Sequence, residues 1–297
     1  MSESRQRFGL SVALATPFRP NGEIDLERLV SHAGRCLELG CDSITLFGTT
    51  GEGVSIGHQE RLEVLAALAA AGVGAGSIVA GISATASADA KRDVTVAQGR
   101  GCRAVLLPPP FYFKQVADDG IFDWYRAVFE DLGENARNII LYNIPSLTGV
   151  QLSVELIARL RAAFSDIIIG VKDSTGDWSY TERLLAAHRD LAVLIGEERH
   201  LAAAVRLGAE GSICGLANLH PAEMRTMAWQ GADNVYIDEV VGLVSDFPVV
   251  PAIKALMAHR NGEPQWRRVR PPLISIGDRD LAEIGRGFDR LANVRAA

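Results

Sequence analysis

Ile167-Ile168-Ile169-Gly170-Val171 is an unbroken apolar run that ends on a charge, Lys172, and then turns polar through Asp173-Ser174-Thr175-Gly176. No polar residue alternates within it, the pattern of a strand buried on both faces of a parallel sheet. Short apolar runs recur at Ser11–Ala15, Ser43–Phe47, Ser77–Ile82, Ala104–Leu107, Ile139–Tyr142, Ala192–Ile195 and Gly211–Gly215, and several of them likewise show no polar alternation. Segments of helical period separate them. One follows Asp25 as N-cap and closes at Gly40, and others start near His58, Ala86, Asp118, Ser153, Asp177, Glu198 and Pro221. Eight strand–helix units in 297 residues predict an α/β fold, the (β/α)8 TIM barrel. A doubly wound open sheet would carry a glycine-rich fingerprint after its first strand, and Leu14-Ala15-Thr16-Pro17-Phe18 has none. Helical patterns over 235–247, 251–259 and 279–292 add no strand. The expected organisation is a catalytic barrel over residues 8–232, with a C-terminal helical extension over 233–297 packed on it.

Composition narrows the class. A hydrophobic share of 48% with 22% charged residues excludes a disordered or collagen-like chain. The net charge of −6 argues against a nucleic-acid partner. No run approaches the ~18 consecutive apolar residues of a membrane helix. Cys36, Cys41, Cys102 and Cys214 are scattered, with no paired spacing and no histidine cluster, so reduced core thiols are expected rather than disulfides or metal ligands. Arg5 and Arg7 before Phe8–Ala15 faintly imitate a leader, but the run is short and turns at Thr16-Pro17. A first strand explains it better, and the expected location is the cytoplasm.

In such a barrel the chemistry gathers at the C-terminal strand ends. Only four of the 30 basic residues are lysines, Lys91, Lys114, Lys172 and Lys254, and Lys172 alone closes a barrel strand. Its amine should emerge from a buried strand, where desolvation lowers the pKa and a neutral amine can attack a carbonyl. The alternative is an ion pair with Asp173 or Glu198. Lys254 lies in an amphipathic segment and is a weaker candidate. Gly48-Thr49-Thr50-Gly51-Glu52-Gly53 follows the second strand. It has no Walker lysine, so a pocket for a small carboxylate suits it better than a phosphate cradle, with a plain structural turn as the alternative. Tyr142 ends the fifth strand, where a phenol could pass protons or merely pack.

Three segments carry a resemblance: Gly48–Gly53, Tyr142-Asn143-Ile144-Pro145-Ser146-Leu147-Thr148-Gly149 and Gly170-Val171-Lys172-Asp173-Ser174-Thr175-Gly176-Asp177. In order and spacing the chain resembles the family of dihydrodipicolinate synthase and N-acetylneuraminate lyase, from about Phe8 to Asn218 and onward into the helical C-terminus. The resemblance implies a homo-oligomer, usually a dimer of dimers, that forms a Schiff base with pyruvate or another 2-keto acid, with an aldehyde as possible second substrate. It implies no metal and no organic cofactor. By position, Lys172 matches the Schiff-base lysine, Tyr142 the proton-shuttling tyrosine and Thr49 the relay hydroxyl. Thr50, beside Gly48, matches the carboxylate-binding group. Tyr112 matches a tyrosine that reaches the neighbouring subunit's site, and Ile213 a residue whose carbonyl lines the pocket.

The departures concern the substrate. Where the synthases have an arginine for a second carboxylate, this chain has Leu147, which cannot make that bidentate contact. The acidic pair of the sialic-acid lyases maps onto Glu198 and Arg199, and their later serine onto Gly215. Phe113 replaces a polar residue. The expected activity is therefore a class I lyase acting on pyruvate or a 2-keto-3-deoxy sugar acid, with Ser174 and Glu198 as polar contacts. The alternatives are 4-hydroxy-tetrahydrodipicolinate synthase, a keto-deoxy sugar acid dehydratase, and a non-catalytic keto-acid-binding relative.

Overall fold

The computed structural model describes residues 7–133 and 136–296. Its strands are β1 (Gly9–Ala13), β2 (Ser43–Leu46), β3 (Ile78–Gly81), β4 (Ala104–Leu107), β5 (Ile139–Asn143), β6 (Ile168–Asp173), β7 (Ala192–Ile195) and β8 (Gly211–Cys214). They pair in parallel and in sequence order, and β1 also pairs with β8, which closes the barrel. The chain is a (β/α)8 TIM barrel, as its apolar runs predict. The helices are α1 (Leu26–Glu38), α2 (His58–Ala70), α3 (Ser87–Gly99), α4 (Asp118–Leu132), α5 (Pro145–Thr148), α6 (Val154–Ala163), α7 (Trp178–Ala187), α8 (Glu198–Arg206), α9 (Pro221–Gln230), α10 (Val235–Ser245), α11 (Val249–Asn261) and α12 (Asp278–Ala296).

Burial on both faces explains the unbroken apolar runs. Val79, Leu106, Ile140, Leu194 and Ile213 pack on one another inside the barrel. Val12, Ile44, Val105, Leu141 and Val171 belong to the larger core beneath the helices. Asp25, Ser153 and Asp177 cap α1, α6 and α7 by accepting backbone N–H bonds, which satisfies donors that a helix start leaves free.

Several boundaries differ from expectation for local reasons. β6 continues through Lys172 and Asp173, which are in register with Tyr142 and Asn143 of β5. Polar side chains do not end a strand whose backbone ladder still has a partner. β1 stops at Ala13, because the Ala15 N–H turns to the Asn218 side chain. The short helix α5 was not expected. Pro145 opens it and Gly149, at φ +64°, closes it.

The C-terminal helices are integral to the barrel. α11 is buried from Val250 to Ala258, and α10 and α11 reach over the C-terminal mouth. At the opposite end, the Arg7 guanidinium donates to the carbonyls of Ala209, Glu210, Ala228 and Trp229; Arg5 lies outside the described residues. Among the described residues no single helix is long and apolar enough to cross a membrane. All four cysteines are free and buried. Burial pushes their thiols up, Cys102 to about 11 and Cys36 and Cys214 to about 12, so they are inert at neutral pH.

Candidate active site

Lys172 and Tyr142 leave adjacent strands at paired positions, so both side chains enter the barrel mouth together. Lys172 is only 5% exposed, and its Nζ donates to Tyr142 Oη at 3.2 Å. The same Nζ lies 4.2 Å from the centre of the Tyr142 ring. Tyr142 Oη is in turn 3.1 Å from Thr49 Oγ1. An amine, a phenol and an alcohol thus stand in one hydrogen-bonded row, a route along which protons can pass.

Among the described residues no carboxylate lies within ion-pair distance of Lys172 Nζ. Asp173 is occupied elsewhere: its oxygens accept from Thr181 Oγ1 at 2.6 Å and the Thr175 N–H at 3.0 Å, and burial raises its pKa. Glu198 accepts the Leu216 N–H at 3.1 Å. Burial also pushes its carboxyl up, against the pull of that N–H and, more weakly, of the Lys172 charge. The ion-pair alternative for Lys172 is not what the structure adopts.

These groups line a cavity of about 180 Å³ with Thr50, Ser174 and Ile213. A second cavity of about 580 Å³ adjoins it across Thr49 and Tyr142, and this one is lined by Gly48, Leu147 and mostly apolar side chains. Leu147 is 63% exposed at its rim. Tyr112 lines neither cavity. It is 78% exposed and stacks edge-on against Phe113, which is equally open to solvent.

The Gly48–Gly53 turn needs Gly51 and Gly53 for closeness. A Cβ on Gly53 would stand 1.7 Å from the Phe47 carbonyl oxygen. Gly215 likewise leaves no room, since a Cβ there would meet Ile253 Cδ1 at 2.6 Å and Thr50 Oγ1 at 3.3 Å.

Two parts of the site escaped the sequence reading. Val241, Val244 and Ser245 of α10 and Val249 and Ile253 of α11 wall the Lys172 cavity, so the C-terminal extension builds the pocket. Lys254, expected on an amphipathic helix, is fully buried. Its Nζ donates to Glu52 Oε1 at 2.5 Å and to the Thr16 carbonyl at 2.9 Å. The other Glu52 oxygen accepts the Arg270 N–H at 2.8 Å. The turn that presents Thr49 and Thr50 is therefore bolted to α11 from behind. A lysine inside the apolar stretch Pro251–Met257 was the one available signal, because a charge is rarely buried without a partner.

Comparison with known proteins gives the family. The sequence matches the dihydrodipicolinate synthetase family over residues 6–285. It is 31% identical to an uncharacterized DapA-like lyase of Chloroflexus aurantiacus, with 98% of each chain covered. It is 29% identical to a 4-hydroxy-tetrahydrodipicolinate synthase of an Anaeromyxobacter species, covering 94% of this chain and 96% of that one. A crystal structure of dihydrodipicolinate synthase from Agrobacterium tumefaciens superposes with a TM-score of 0.95 at 51% identity, covering 96% of this chain and 99% of that one. This chain, with its barrel and its lysine–tyrosine–threonine row, belongs to the dihydrodipicolinate synthetase family.

Proposed function

We propose that this protein is a class I lyase that binds pyruvate or a 2-keto-3-deoxy sugar acid as a Schiff base on Lys172. The observation that carries the reading is the row Lys172–Tyr142–Thr49 at 3.2 and 3.1 Å. The amine adds to the C2 carbonyl of the keto acid. Tyr142, backed by Thr49, then delivers the proton that lets the carbinolamine oxygen leave as water. Loss of a C3 proton turns the iminium into an enamine, whose C3 can attack an aldehyde to make the C3–C4 bond. In the reverse sense the C4 hydroxyl of a bound keto acid loses its proton, C4=O forms and the C3–C4 pair passes to the iminium, leaving the enamine. The Thr50 hydroxyl and the N–H groups at the head of the Gly48–Gly53 turn hold the keto-acid carboxylate, those of Glu52 and Gly53 being bonded to Thr49 and Gly48 within the turn, and the Ile213 carbonyl and Ser174 line its surroundings. No metal or organic cofactor enters this scheme.

The assembly in this reading is a homo-oligomer, a dimer of dimers, acting in the cytoplasm. The exposed Tyr112 and Phe113 support it, since two large aromatic rings held in solvent suit a surface that a neighbouring subunit covers. The alternative activity, condensation of pyruvate with aspartate semialdehyde, is favoured by the names of several relatives. Against it stands Leu147, an apolar residue at the rim of the larger cavity.

Deuterium exchange tests the proposal. Incubated with the protein in D2O, pyruvate should lose its methyl protons through the enamine, and Lys172→Ala should abolish that exchange. Exchange at the uncatalysed rate with the intact protein would refute it.

A further inference from the structure

Glu198 opens α8, immediately after β7, and its carboxyl faces the same cavity as Lys172. In barrel order, Tyr142 of β5 flanks Lys172 on one side and Glu198 flanks it on the other. Its neighbour Glu197 is neutralised by Arg199 at 2.6 Å. Glu198 has no cationic partner within 4 Å among the described residues. One of its oxygens is fixed by the Leu216 N–H at 3.1 Å, which leaves the other for a ligand. Glu198 is half-buried, and a desolvated carboxyl without a counter-ion is costly unless it is protonated; that desolvation raises its pKa.

We propose that Glu198 is a catalytic acid, and that the substrate is a 2-keto acid whose C4 hydroxyl leaves as water. The role rests on the Lys172 imine argued above. In the enamine, the nitrogen lone pair re-forms the C2=N bond and the C2=C3 pair becomes C3=C4. The C4–O bond breaks with its electrons on oxygen, and the Glu198 proton moves to that oxygen to give water. Hydrolysis of the iminium then frees Lys172 and a 2-keto-3-enoic acid. The proton released from C3 when the enamine forms replaces the one Glu198 gives up, so no oxidant or co-reactant is needed. Tyr142 is engaged at the imine carbon, 3.2 Å from Lys172 Nζ, and Glu198 supplies the separate acid that departure at C4 requires.

The test uses the full chain, wild type and Glu198→Gln, with 2-keto-3-deoxygluconate, 2-keto-3-deoxygalactonate and 4-hydroxy-2-oxoglutarate as probes. Products are read by mass spectrometry, and imine formation by borohydride trapping with pyruvate. Glutamine keeps the size of the side chain and the acceptor for Leu216 N–H but has no acidic proton. Wild type should release a dehydrated product from at least one probe. In the variant that product should form about 100-fold or more slowly, the usual scale of a lost general acid, while pyruvate is still trapped. Trapping with water loss within roughly threefold of wild type in the variant would overturn the role of Glu198 alone. Cleavage to pyruvate and an aldehyde only, or no water loss from any probe, would overturn it too. No trapped adduct in wild type would overturn the imine and this role with it.

Discussion

Lys172 Nζ and Tyr142 Oη lie 3.2 Å apart because the two residues are register partners on neighbouring parallel strands. Backbone pairing, which loops cannot loosen, sets their separation. Removing only the phenolic oxygen should therefore separate chemistry from packing. Tyr142→Phe should keep the ring against the amine and leave the melting temperature nearly unchanged. Imine formation should slow by about 100-fold or more, read as the rate of deuterium entry into pyruvate.

Lys254 and Glu52 form an ion pair at 2.5 Å with side chains 0% and 1% exposed. Losing one partner leaves the other charged and alone, which costs about 3–5 kcal/mol. Lys254→Met should show that loss in urea unfolding. The double variant Glu52→Gln with Lys254→Met should recover part of it, since no lone charge stays buried. An equal or greater loss in the double variant would show that the pair does not act as a unit.

His32 is held neutral. Burial lowers its pKa to about 4, and its Nε2 lies 2.9 Å from Asn218 Oδ1. The unfolded chain takes up this proton near pH 6.5, whereas the folded chain resists until about pH 4. Between those values the unfolded state binds more protons, so stability falls as the pH drops and is unaffected above the window. The contribution is on the order of 3 kcal/mol across the window. His220 shifts in the same direction, again through burial first. Urea midpoints at pH 7 and pH 5 should converge in His32→Gln relative to wild type.

Leu147→Arg would place a guanidinium at the rim of the larger cavity, where Leu147 now stands 63% exposed. A charge-assisted bidentate contact is worth about 1.5–3 kcal/mol. The variant should gain roughly tenfold or more in kcat/KM for aspartate semialdehyde over an uncharged aldehyde. An unchanged ratio would mean that the rim does not touch the second substrate.

The barrel was legible because strands covered on both faces can be apolar throughout, so Ala104–Leu107 and Ala192–Ile195 could be bounded from sequence alone. Lys172, Tyr142 and Thr49 could be brought to one place from sequence because each stands at or just beyond the C-terminal end of an apolar run, although β5 and β6 themselves continue one residue past Tyr142 and Lys172. The far wall of the pocket was not. Whether Val249, Ile253 or Lys254 faces solvent or the barrel depends on what covers α11, and the partner of Lys254 is 202 residues away. The same limit made Glu52 look like part of a turn. Its carboxylate is instead the anchor between that turn and the C-terminal helices.

The most direct measurement is reduction with borohydride in the presence of pyruvate, followed by peptide mapping. One reduced pyruvate adduct per chain is expected, carried on the peptide that contains Lys172 and absent from Lys172→Ala. An adduct on another lysine, or none on the intact protein, would contradict it.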